Sequence, residues 1–178
     1  MNLLVSRTIP AALIAVAFLV ATASTATAWS PLDGTWPHWC KTVPYAMQSA
    51  GSADLGVATS SSEVQRAFTD WTEVECANVG AKWNGMVQTA PGTYEGTSVV
   101  GWVESNWPDD PNAIGVTGPT WSGGGTPCIQ EADMLLNGVN YKWTTQSGNG
   151  SNVNAYSILS HEAGHYYGLG HSNVQNAT

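Results

Sequence analysis

Residues 161–172 read HEAGHYYGLGHS, and the rest of the chain is read outward from them. His161 and His165 stand four apart, so on a helix of 3.6 residues per turn they differ by about 40° around the axis. Both imidazoles then face one way and can share a tetrahedral ion. Glu162, next to His161, can reach that ion's open side without ligating it. Gly168 follows three residues after His165 and permits a backbone turn that a side chain would resist. That turn brings His171 round as a third ligand. Three neutral imidazoles leave one position for water, which is the layout of a catalytic zinc site and not of a closed structural one. A bare H-E-x-x-H arises by accident, but H-E-x-x-H-x-x-G-x-x-H fixes five positions. Three of the chain's four histidines fall in it. The blander alternative is a helix end with surface histidines, and five fixed positions outweigh it.

The helix carrying the first two histidines is predicted to start near residues 152–154 and to run to about Tyr167, stopped by Gly168 and Gly170. Val153, Tyr156, Ile158 and Leu159 are its apolar residues. Upstream, Val43, Tyr45 and Met47 alternate with smaller or polar neighbours and predict a strand over 42–48, with Pro44 suited to an edge or a strand start. Ser60 and Glu63 have the spacing of a capping box. Val64, Ala67, Phe68, Trp71 and Val74 follow at helical spacing, so a helix is expected from Ser60 to a stop at residues 78–80. Residues 79–89, 97–105 and 112–121 mix β-branched and aromatic side chains between Pro, Gly or Asp, and read as strands. Residues 128–136 form another, followed by the turn pair Asn137-Gly138, after which 139–144 is expected as a hairpin arm. The order strand, helix, several strands, helix predicts an α+β fold.

The chain has 178 residues. Its first 28 hold one charge, Arg7, then an apolar run over 11–21, then Ala26-Thr27-Ala28. This is the pattern of a secretory signal peptide cleaved after Ala28, and the apolar run is too short to span a bilayer. The expected organisation is therefore a signal peptide over 1–28 and a single secreted domain over 29–178. That domain carries four basic residues against 13 acidic ones, a net charge of −9. So acidic a surface argues against nucleic acid or an anionic membrane as partner. All nine tryptophans lie in it and read as core or sheet-face residues. Two Asn-x-Ser/Thr tripeptides, at Asn149 and Asn176, are short enough to be chance. Acidic pairs at Asp109-Asp110 and at Glu131 and Asp133 leave bound calcium open, but no calcium-loop spacing is present and solvated charge is the commoner reading.

The histidine segment resembles the zinc site of metzincin metalloendopeptidases. Gly164 between the first two histidines, and Ser172 after the third, are most similar to the matrixin branch. Weaker similarity covers VPYAM as first strand, EVQRAFTDWTEV as first helix and EADMLLN as the strand before the zinc helix. The resemblance implies a twisted, mostly parallel five-stranded sheet with two long helices, and a substrate cleft between the sheet's edge strand and the zinc helix. It implies that His161, His165 and His171 bind one Zn²⁺ and that Glu162 is the general base. The implied activity is that of a secreted, extracellular zinc endopeptidase acting on proteins or peptides. The alternative is a truncated or metal-impaired domain that binds protein without cleaving it.

The resemblance also sets expectations that the sequence does not meet. Metzincins carry a Met-turn after the third histidine, whereas the seven residues after His171 contain no Met. The family's C-terminal helix is missing too, so a C-terminally incomplete domain is expected. His38 is the only other histidine, so no second histidine-rich site can be built. Cys40 lacks the motif of a cysteine switch. The preferred pairing among Cys40, Cys76 and Cys128 is Cys40 with Cys76, leaving Cys128 for a partner in a missing C-terminal segment, although connectivity is not readable from spacing.

Overall fold

The computed structural model describes residues 30–32, 37–75, 78–122, 127–150 and 152–172. Residues 1–28, Cys76 and the Asn176 tripeptide lie outside them. Eleven elements follow in chain order. They are β1 (Ser30–Pro31), β2 (Val43–Gln48), α1 (Gly56–Thr72), β3 (Ala81–Val87), β4 (Val99–Val103) and β5 (Gly115–Trp121), then β6 (Ile129–Asn137), β7 (Lys142–Thr144), β8 (Asn152–Asn154), α2 (Ala155–Tyr166) and β9 (Leu169–Gly170).

Five strands form one sheet in the order β3-β2-β4-β6-β5. The β2–β3, β2–β4 and β4–β6 pairs are parallel, and β5 alone runs antiparallel, along β6. The mostly parallel sheet with two helices is thus observed. Strand alternation sorts its two faces. Val43, Tyr45, Met47, Val100, Trp102, Ala132, Met134 and Leu136 join one core cluster with Phe68 of α1 and Leu159 and Tyr166 of α2. Aromatic rings hold its centre: Tyr45 stacks on Phe68 at 4.0 Å between centroids, and Phe68 meets the edge of Tyr166 at 5.0 Å. The opposite face carries Ala46, Val99 and, on β6, Glu131 and Asp133, all buried. Among the described residues no helix is long and apolar enough to cross a membrane.

Pro44 lies in an interior strand, so its tolerance comes from its place at the strand start, before pairing with β4 begins at Ala46. The predicted first helix begins one turn too late. Gly56 opens α1, and no side chain caps it. Ser60 is buried inside the helix, where its hydroxyl accepts from Ser52 N at 2.9 Å and donates to Gly56 O at 2.7 Å. Glu63 pairs loosely with Arg66 at 3.8 Å and caps nothing. The helix also stops earlier, at Thr72, leaving Val74 exposed. Ser60→Ala strands the Ser52 amide in the interior and is expected to cost about 1–3 kcal/mol in urea unfolding, whereas Glu63→Ala should shift stability by no more than about 0.5 kcal/mol. Equal costs at the two positions would restore the capping box.

The hairpin expected after Asn137-Gly138 does not form. Both sides of β6 are already taken, by β4 and β5, so no edge remains for a third strand. Asn137 still makes the turn, its Oδ1 accepting from Val139 N and Asn140 N, but β7 leaves the sheet and pairs in parallel with β8.

The cysteine pairing is also corrected. Cys40 is joined to Cys128, with Cα atoms 5.5 Å apart. The sequence offered no measure of distance between them. In the fold, the 38–40 segment lies beside the start of β6 through a His38–Cys128 bridge. Cys128 therefore needs no partner from outside the chain, and Cys40 has no free thiol with which to serve as a latency ligand.

Candidate metal centre

Asn154 starts α2, its side-chain oxygen accepting from Ser157 N at 2.8 Å. This fixes the register that sets His161 and His165 on one side of the helix. After Tyr166 the chain turns at Gly168, whose φ is +96° and whose N–H donates to His165 O at 2.9 Å. A left-handed glycine at a helix end is the usual stop. Here a Cβ would also run into the Pro37 carbonyl, so both φ and space call for glycine. The turn leads into β9 and delivers His171.

The three imidazoles converge. Their Nε2 atoms stand 3.2 Å (His161–His165), 3.2 Å (His161–His171) and 3.1 Å (His165–His171) apart. Nitrogens bound at zinc's usual distance in a tetrahedral site would be roughly 3.3–3.4 Å apart. The trio fits that ion with little adjustment. Protonation is also suited to it. His165 Nδ1 lies 2.7 Å from the Leu169 carbonyl, which can only accept, so Nδ1 carries a proton and Nε2 is the nitrogen left to ligate an ion. Burial pushes the His161 imidazole below its ordinary pKa, and the neighbouring His165 and His171 push the same way. Among the described residues this is the one cluster of three or more potential ligands whose donor atoms converge.

Glu162 is 5 % exposed. Its Oε2 accepts a 2.6 Å hydrogen bond from the Thr117 hydroxyl on β5. Burial pushes the carboxyl above the usual range, opposed by the Thr117 hydrogen bond and by His165 and His171. The carboxylate and the three histidines line one cleft of about 1020 Å³ between α2 and β5. Ile114, Ile158, Trp71 and Leu32 supply much of its apolar wall.

Three contributors carry no local sequence signal. Thr117 is one, and Gly115 is another, since a Cβ there would sit 2.8 Å from Glu162 Cγ. The third is β1, which pairs antiparallel with β9, Ser30 against Gly170 and Pro31 against Leu169. Ser30 Oγ donates to His171 O at 2.6 Å, and Leu32 N to Gly168 O at 3.0 Å. Ser30–Leu32, just beyond the expected cleavage point, thus strap down the loop that holds the third histidine.

The acidic pairs lie elsewhere. Asp133 accepts from Gly92 N at 2.6 Å and Val99 N at 2.8 Å, and Glu131 from Gly96 N at 2.7 Å. These two carboxylates anchor the segment between β3 and β4 and the start of β4, whose amides take both Asp133 oxygens and one of Glu131, while Glu131 Oε1 is buried with no hydrogen-bond partner among the described residues. Burial pushes the Asp133 carboxyl up from its ordinary value, against the pull of those amides. Asp109 and Asp110 are exposed, and Asp110 accepts from Asn112 N in a local turn.

The family model for Matrixin matches residues 128–178, from the start of β6 through the histidine loop. At that level the segment is similar to the matrixin peptidases, a family that typically uses zinc. No curated protein matches the chain.

Proposed function

We propose that the protein is a secreted zinc-dependent endopeptidase that hydrolyses peptide bonds in proteins. The carrying observation is the convergence of three Nε2 atoms within 3.2 Å of one another, beside a buried carboxylate in an open cleft. His161, His165 and His171 would hold the ion. Bound zinc supplies Lewis acidity, polarising the scissile carbonyl and acidifying a water. Glu162 takes the proton of the attacking water and passes it to the leaving amine nitrogen. β5, the edge strand of the sheet on the α2 cleft side, would offer its side away from β6 to an extended peptide lying along the cleft. Export after removal of residues 1–28 belongs to this reading, and the Cys40–Cys128 bond supports it because disulfides persist in oxidising compartments.

The test is metal analysis of the protein recovered from the medium of expressing cells, with its N-terminus sequenced, after dialysis against metal-free buffer. About one zinc per chain, an N-terminus at Trp29 and cleavage of an unfolded protein substrate are expected. His171→Ala should lose the zinc and the cleavage together. One retained zinc with no turnover on any peptide would identify a protein-binding domain instead. A folded chain that retains no zinc would remove both readings.

A further inference from the structure

We infer that Thr117 is a positioning residue for the reaction, holding the Glu162 carboxylate in a single orientation from the edge strand β5. The inference rests on the reading of Glu162 as general base and says how that base is aimed. The helix fixes the Glu162 Cα but not its carboxylate, which three side-chain torsions separate from the backbone. β5 removes that freedom at two points. Gly115 leaves the room in which the side chain lies, since a Cβ at 115 would stand 2.8 Å from Cγ and 2.9 Å from Oε1. Thr117, two residues along and so on the same strand face, donates to Oε2 at 2.6 Å, a length typical of a charge-assisted bond.

The Thr117 oxygen also lies 3.2 Å from the Glu162 main-chain carbonyl, but a hydroxyl has one proton and the shorter contact takes it. Oε1 has no hydrogen-bond partner among the described residues. The two oxygens are therefore unequal. Oε2 stays bonded to Thr117 whether or not the carboxyl is charged, and Oε1 is the oxygen that receives the water's proton, an O–H bond breaking at the water as one forms at Oε1. Because β5 is also the strand along which an extended peptide would pair, the wall that aligns the substrate and the clamp that aims the base are one element. Misaiming a base by about 1 Å can cost on the order of 10²-fold in rate.

The experiment compares Thr117→Val, which removes the hydroxyl at nearly constant volume, with Thr117→Ser, which keeps it, in the whole secreted protein. Thr117→Val should lower kcat by about 10- to 100-fold with KM within twofold and zinc content unchanged, and Thr117→Ser should recover most of the loss. The second readout needs no activity. In metal-free protein labelled with ¹³C in glutamate carboxyls, the Glu162 resonance, identified by its absence in Glu162→Gln, should move in Thr117→Val and return in Thr117→Ser. Should valine prevent folding, Thr117→Ala at this half-buried position gives the same comparison. An unmoved resonance, an unchanged kcat, or equal losses in the valine and serine variants would overturn the role. A wild-type protein without peptidase activity overturns the endopeptidase reading and the catalytic part of this one, while a moved resonance would still establish the hydrogen bond.

Discussion

If the protein is the zinc endopeptidase proposed above, Glu162→Gln is expected to keep one zinc per chain and lose turnover by about 10²–10⁴-fold, the range set by removing a general acid–base group. Glutamine preserves the shape of the side chain and can still accept the Thr117 hydrogen bond that fixes the wild-type carboxylate. Its amide cannot take a proton from water. Zinc should remain because, among the described residues, the converging donors are the three histidines. In the metal-free protein at neutral pH, stability should be equal or higher, since burial disfavours the charged carboxyl that the substitution removes. Metal content, kcat on a peptide and the thermal midpoint, measured on one preparation, separate these effects. Loss of zinc along with activity would make Glu162 a ligand, and retained turnover would remove it from the reaction.

The site was legible where its geometry is local. His161, His165 and His171 lie within 11 consecutive residues, and a helix plus one left-handed glycine brings them together without any other element. Glu162 was legible for the same reason. Thr117 and Ser30 were not, because they reach the site across 45 and 141 positions of sequence and their neighbourhoods look like ordinary strand and loop. The five sheet strands were readable, 42–48 from alternation and the others from composition, but their partners were not, nor were the short strands β1, β8 and β9. Residues 139–144 follow a strong turn pair, and only the occupation of both sides of β6 excludes the hairpin. Ser60 and Glu63 matched a capping box because the motif is four residues long and blind to burial. The Ser60 hydroxyl satisfies Gly56 O and Ser52 N from inside the helix instead.

Breaking the Cys40–Cys128 bond is expected to destabilise the domain by about 2–5 kcal/mol. The bond spans 88 positions of sequence, so its removal frees a long loop that contains β2, α1, β3, β4 and β5. At this chain length each kcal/mol lowers the thermal midpoint by about 2–4 °C, and the combined loss is on the order of 10 °C. The effect should reach the candidate metal site as well. The segment that the bond pins includes Trp39, whose indole N–H donates to Tyr166 O at 2.7 Å and whose ring stacks on Tyr166 at 6.0 Å. Tyr166 is the last residue of α2 and directly follows His165. Cys40→Ser with Cys128→Ser, or reductant added to the wild type, should therefore lower the midpoint by similar amounts and hasten zinc loss to a chelator. Cys76→Ser should leave both unchanged. A large loss on changing Cys76, with none on changing Cys128, would return the pairing to Cys40 and Cys76. Because a domain's whole stability is about 5–15 kcal/mol, losing this one bond under reducing conditions would remove a substantial share of what keeps the histidine loop assembled.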